Sequence, residues 1–230
     1  MIDHFMLTMK HPKNSLLSIL FVVGLANAGL AQKKVSEFTI VYNSTVTSTA
    51  AKGNAPYTAT NTVYIKGNMS RTDVTSPLAS FSTIHDAKTG SAVVLREVSG
   101  QKLLIRMNAE NWQDKNKHYA GIRFTNEPET KIIAGYKCMK AAATTPDSLH
   151  IAVFYTKDIV SDNKDYDSEF KNLDGLPLEY ELRKGNITIK FILASINLNP
   201  VPASKFDIPT SGYREMTYEE SKKLGVGNKE

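Results

Sequence analysis

From Glu37 onward the chain alternates apolar and polar residues with a period of two, the mark of strands buried on one face. In "EFTIVYNSTVT", Phe38, Ile40 and Tyr42 share a side. "TVYIKGNMSRTDV" predicts a tight hairpin turning at Lys66–Asn68, with Gly67 supplying the positive φ such a turn requires. "SFSTIHDAKTGSAVVLREV" repeats the plan around a turn at Ala87–Gly90, and "KLLIRMN" adds a strand. A turn at Ala109–Glu110 and an irregular stretch, "NWQDKNKHYAG", precede "IRFTN".

The second half is more regular. Residues 130–143 predict one or two strands bent at Gly135, with a turn at Pro146-Asp147 before "SLHIAVFYTKDI". "SDNKDYDSEFKNLDG" is a polar interruption, expected as a loop with a short helical turn. "LPLEYELRKGNITIKFILASI" is the clearest hairpin: Leu178, Tyr180 and Leu182 face inward, and so do Ile187, Ile189, Phe191 and Leu193 on the return. "NPVPASKFDIPTSGY" carries three prolines and is excluded from a central strand. "TYEESKKLG" predicts one short helix: Thr217 and Glu220 form a capping box, Lys222 and Lys223 complement the last turn, and Gly225 can end it.

About ten to eleven hairpin-connected strands and one or two short helices result. No βαβ spacing is present, which argues against a parallel sheet. The expected architecture is mainly β: a single large curved antiparallel sheet, with helical or loop material covering one face.

The N-terminus changes the picture of compartment. "MKHPKNSLLSILFVVGLANAGLAQ" (Met9–Gln32) has a basic start, an apolar run from Leu16 to Leu25, and then small residues. That is the pattern of a secretory signal peptide. Its apolar run is about half the roughly 20 residues a membrane span needs. Cleavage is expected after Ala28 or Ala31, the latter preferred, with residues 1–8 an upstream mis-start or extension. The expected organisation is a signal peptide at 1–31, the sheet domain at 32–216, and a short C-terminal helix and tail at 217–230. Removing 1–31 takes away two lysines and Asp3, so the formal charge falls from +5 to +4. No basic stripe with interleaved aromatics appears, so nucleic acid is not an expected partner. An exported chain with a single cysteine has no internal disulfide and must be held by its core.

Several motifs in fixed order carry a resemblance. "IIAGYKCMKA", "IAVFYTKDI", "FKNLDGLPLEYEL" and "ASKFDIPTSGY" lie in succession over Lys131–Tyr213. Together they resemble the secreted Gram-negative proteins grouped as GLPGLI and a neighbouring family of unknown function. The chain departs from the first signature, reading "GLPLEYEL" after Asp174, so the neighbouring group is the better fit. The ending "FDIPTSGY" is also similar to that of LolA- and LolB-like half-barrels, which carry lipids or lipoproteins between bacterial membranes. The resemblance implies a periplasmic open half-barrel and no catalytic residues.

Cys138 could be a nucleophile, a lipid anchor, half of a disulfide or a packed apolar residue. No cysteine lies near the cleavage site, and in a strand Lys137 points away from Cys138, so a buried structural role is expected. His85, His118 and His150 lie in no metal-binding spacing, and His85-Asp86, before a turn, is expected at the surface. Asp162, Asp165, Asp167 and Glu169 invite calcium, but Lys164 and Phe170 break the EF-hand spacing, and a solvated loop is expected. There is no G-x-S-x-G elbow or Gly-rich phosphate loop; "GVGNKE" follows a helix. The sequons at Asn43, Asn68 and Asn186 are taken as chance for a bacterial chain. Trp112 and Tyr119 either rim a cavity or cover a core edge.

No catalytic residue, metal ligand or cofactor is therefore expected, the ligand-binding residues are undetermined, and the protein is not expected to be an enzyme. The expected function is a periplasmic carrier holding a hydrophobic ligand, a lipid or lipoprotein acyl group, on the concave face of the sheet. The alternative is a cell-envelope interaction module with a filled core and a protein partner. No membrane anchor is expected after signal cleavage.

Overall fold

The alternating pattern folds as two meanders joined edge to edge. The computed structural model describes residues 32–50 and 56–224. The signal-peptide assignment at 1–31 and the helix stop at Gly225 lie outside them. The first meander comprises β2 (Glu37–Ser48), β3 (Tyr57–Lys66), β4 (Met69–Thr75), β5 (Ala79–Asp86), β6 (Ser91–Val98) and β7 (Gln101–Met107), after a short β1 (Lys33–Val35). Gly67 turns β3 into β4 with φ +56°, the left-handed conformation its position demands. The second comprises β8 (Thr125–Ile133), β9 (Tyr136–Thr144), β10 (His150–Thr156), β12 (Leu176–Lys184) and β13 (Ile187–Asn197). Between them lies α1 (Ala109–Asn116), continued by a 3₁₀ turn at Lys117–Tyr119. β11 (Ile159–Ser161), β14 (Arg214–Thr217) and α2 (Tyr218–Lys223) complete the chain.

The main sheet holds twelve strands in the order β14-β7-β6-β5-β4-β3-β2-β13-β12-β10-β9-β8. Its two ends do not pair, so the sheet is not closed. The seam is β2 against β13, from Ile187↔Ser48 to Asn197↔Thr39. Two pairings correct the all-antiparallel expectation: β14 lies parallel to β7, and β1 pairs parallel with β11 in a separate two-stranded sheet. Fourteen strands appear among the described residues, more than the expected ten to eleven, because β1, β11 and β14 are too short to show a period. The expected turn and irregular stretch at 109–119 is also corrected. It is a helix, capped by Asn108 and Asn111 bonding reciprocally through side chain and backbone.

Register sorts the residues into two faces. On the front, Phe38 opposes Ile65 and Ile40 opposes Val63, all at 7% exposure or less. The same face continues at Tyr180, Val153 and Ala141, which oppose one another across β12, β10 and β9 within the largest apolar cluster. α1 and α2 cover the front of β6 and β7, where Trp112 and Tyr218 pack with Ala92, Val94, Ile105 and Met107. Each buried methylene contributes roughly 0.8 kcal/mol, so this large cluster of buried side chains is a major stabilising contribution.

The Pro-rich residues 198–213 cross the back face as a strap. The Val201 N–H donates to Glu37 at 2.9 Å, Arg71 donates to the Lys205 carbonyl at 2.8 Å, and Lys205 lies over the Tyr64 ring. Tyr213 then packs on Val93, Leu95 and Leu104. Lacking donors at its prolines, the strap delivers β14 to the far edge without joining the ladder. Among the described residues no helix is long and apolar enough to cross a membrane.

Candidate functional site

The front face between β2 and β10 is covered by residues 162–174, which have one 3₁₀ turn (Lys164–Tyr166) and otherwise no regular structure. Local bonds shape this segment. The Asn163 side chain accepts from the Asp165 N–H at 3.0 Å, the Asp167 carboxylate accepts from the Glu169 N–H at 2.9 Å, and Leu173 N–H donates to the Phe170 carbonyl. These Asx turns replace a helix that the polar composition does not favour.

The segment descends onto an aromatic floor. Phe170 meets Tyr180 edge-on at 4.8 Å, and Tyr180 stacks on Phe191 at 4.2 Å and meets Tyr42 at 5.4 Å. Tyr166 meets Phe38 edge-on at 6.1 Å. The Tyr42 hydroxyl donates to the Pro177 carbonyl at 2.8 Å, whereas the buried Tyr166 hydroxyl has no partner. On its outer side the segment is held by the turn after α1: Asn172 donates to the Ile122 carbonyl, Phe124 stacks on Phe170, and the Tyr119 hydroxyl donates to Glu169.

The acidic cluster is therefore not the solvated loop expected. Asp162 is exposed and Asp165 pairs with Lys171, but Asp167 and Glu169 turn inward. Both keep some solvent-accessible surface, yet both lie deep among protein atoms. Neither has a cationic partner among the described residues. Desolvation raises both carboxyls above the usual range, and the neighbouring Asp167 raises Glu169 further. Desolvation also holds Tyr42, Tyr166 and Tyr180 well above the ordinary phenol value.

His85 is a second correction. It was expected at the surface, but it is 4% exposed and lies under α1, its ring stacked 4.7 Å from Trp112. Burial lowers its pKa, opposed by Asp165 of the covering segment and by Asp86. Its Nδ1 has no partner. Trp112 therefore covers a core edge, and Tyr119 clamps the covering segment. Cys138 is fully buried, opposite Thr156 on β10, and burial raises its thiol. His118 lies against Tyr119, and His150 contacts Thr144 through Nδ1. Among the described residues no group of three or more His, Cys, Asp or Glu is placed to hold a metal.

Two hollows lie elsewhere. One of about 650 Å³ sits between β7, β14 and the starts of both helices, beside Arg106, Met107 and Met216. One of about 350 Å³ lies at the polar end of β2–β4, beside Asn43, Thr45 and Thr60. Residues 162–174 line neither. Sequence reasoning missed Tyr42, Tyr166, Tyr180, Asp167 and Glu169 as a group. Its one available signal was three tyrosines distributed over strands and loop, which carries no spacing.

No family model matches the chain, and no curated protein matches it. Solved structures do resemble it. PNGF-II is 14% identical over 81% of this chain, with a TM-score of 0.48; this chain spans about a third (32%) of that protein. A beta-barrel-like protein of the domain of unknown function DUF1849 from Brucella abortus is 8% identical over 72% of this chain and 99% of its own, with a TM-score of 0.40. LprF from Mycobacterium bovis is 9% identical over 72% of this chain and 87% of its own, with a TM-score of 0.33. None of these likenesses bears on what the chain binds, and the GLPGLI resemblance rests on its motifs alone.

Proposed function

We propose that this chain is a non-catalytic binding protein of the bacterial cell envelope, exported to the periplasm. It receives a hydrophobic ligand, a lipid or lipoprotein acyl group, against the front face of its open sheet. The observation that carries this proposal is the cover. Residues 162–174 lie over an aromatic and aliphatic floor without contributing a strand to the main sheet. They can lift without breaking any ladder of that sheet, and segments with few backbone bonds open at the lowest free energy. Lifting would bare Phe38, Tyr42, Tyr180 and Phe191, a surface suited to non-directional burial of an acyl chain. The signal-peptide pattern of Met9–Gln32 supports the compartment.

Native mass spectrometry of protein purified from periplasm tests this. A retained lipid mass, or one gained on incubation with fatty acid or phospholipid, is expected. A bare chain mass under every condition overturns the proposal. One observation favours the alternative of a filled interaction module: Phe170 and Leu173 of the cover are packed to 4% exposure. That alternative predicts a co-purifying protein and no lipid.

A further inference from the structure

We propose that the underside of the 3₁₀ turn Lys164–Tyr166, with His85 beneath it, is a head-group site that takes the hydroxyl of an uncharged lipid. This inference rests on the carrier reading and names the ligand class of that site. It starts from three atoms. Among the described residues, the buried side-chain polar atoms without a hydrogen-bond partner are His85 Nδ1, Asn163 Nδ2 and the Tyr166 hydroxyl. Native folds leave few such atoms, because each loses its hydration with nothing in return. Chance would scatter them over the sheet. Here Asn163 caps the turn, Tyr166 ends it, and His85 lies on the strand face under it.

Register brings them to one place. Phe38, Ile65, Ser70 and His85 are successive partners across β2, β3, β4 and β5 on the front face. The turn lies across that row. Tyr166 meets Phe38 edge-on at 6.1 Å at one end, Asp165 acts on His85 at the other, and the turn packs against β4 between them. Asn163 holds the same Asp165, its side-chain oxygen accepting the Asp165 N–H at 3.0 Å. That bond fixes the amide plane and leaves Nδ2 unused. His85 and Asn163 are 4% and 7% exposed, so neither atom is served by the surface. The row begins on Phe38, part of the floor assigned to the acyl chain, so chain and head share one continuous face.

The chemistry of the three atoms selects the ligand. Asn163 Nδ2 only donates, and the Tyr166 hydroxyl donates or accepts. The imidazole Nδ1 does one or the other, according to which ring nitrogen carries the proton. A hydroxyl both donates and accepts, so it suits either arrangement. A carboxylate only accepts and an ammonium only donates. Neither ion finds a free counter-charge beside His85: Asp165 is paired with Lys171, and Asp86 accepts from the Lys88 N–H and from Thr89. Burial disfavours the His85 imidazolium, and a charged head brought under the turn loses its hydration without replacement.

Competition between oleyl alcohol, oleate and oleylamine, which share one chain and differ in the head, tests this by native mass spectrometry of the periplasmic protein at about pH 8. The alcohol is expected to bind about tenfold more tightly than either ion, as roughly one well-made hydrogen bond dictates. His85→Phe retains a ring to stack on Trp112, and Asn163→Ser retains an oxygen to cap the turn. Each should cut the preference to about threefold or less. A preference unchanged in both variants overturns the site and leaves the three atoms to bound water only. A preference for oleylamine overturns it too, and moves the head to Asp167 and Glu169. A substitution-free check is the Asn163 side-chain amide resonance, which should shift when oleyl alcohol is added to the native protein; an unmoved resonance counts against the site. Equal uptake of all three lipids sinks the head-group site alone. No uptake of any sinks the carrier reading and the site with it.

Discussion

Cys138 illustrates how position overrides chemistry. It stands in a row with Thr156 and Leu176 across three strands, and none of the three exceeds 1% exposure. Burial moves its thiol away from the thiolate that would react. An aryl disulfide reagent should leave Cys138 untouched in native buffer and modify it fully in denaturant; rapid native labelling would contradict this packing. Gly175 is constrained by contact. A Cβ there would run into the Thr156 carbonyl and lie 2.6 Å from the Tyr155 ring, whereas one at Gly67 meets nothing. Gly175→Ala should therefore lose about 1–3 kcal/mol in urea unfolding, as overpacked sites do. Gly67→Ala should lose only about 1 kcal/mol, from backbone strain. Equal midpoints for the two variants would refute the distinction. His85 marks the limit of reading residues singly. Its neighbours in sequence are polar and precede a turn, but its cover comes from Trp112, 27 positions later.

Elements were legible wherever the signal was local. Period-two alternation identified the long strands, and Thr217 with Glu220 identified α2. Both halves of that capping box are present: Glu220 N–H donates to Thr217 Oγ1 at 3.2 Å, and Thr217 N–H donates to Glu220 at 2.8 Å. Thr217→Ala should lower stability by about 1 kcal/mol, read as a shift in thermal midpoint; no shift would show that tertiary packing alone fixes α2. That packing is substantial, because Asp114 of α1 accepts from both Tyr218 and Lys222. Burial and then Asp114 push the Tyr218 phenol up to about 12. α1 escaped detection for a physical reason. "AENWQDKN" has no buried residue and little amphipathic contrast, so periodicity has nothing to report. Its cue was Asn108 followed by Asn111, a cap in which asparagine serves both roles. The covering segment was misread because charge density predicts solvation. Here local turns within the segment bring Phe170 and Leu173 down to the floor and carry Asp167 and Glu169 with them.

At the scale of the molecule, pairing is what a sequence leaves unstated. The parallel β14 and the β2–β13 seam join residues more than 100 positions apart, and no local pattern encodes them. An open sheet also has two ends to protect. β8 protects one: Pro128 withholds an N–H, the register slips between Glu127 and Thr130, and Glu127, Glu129 and Lys131 add charge. Pro128→Val should promote self-association measurable by light scattering; a strictly unchanged molar mass would show that charge alone guards the edge. The seam has a kinetic meaning as well. The centre of the sheet is a contact between the beginning and the end of the chain, so it cannot form until Asn197 is available. Loop closure over such a span is slow. Until β13 is available the chain thus holds two unfinished half-sheets. A truncation after β12 would leave a raw edge at β2, in the middle of the molecule rather than at its margin.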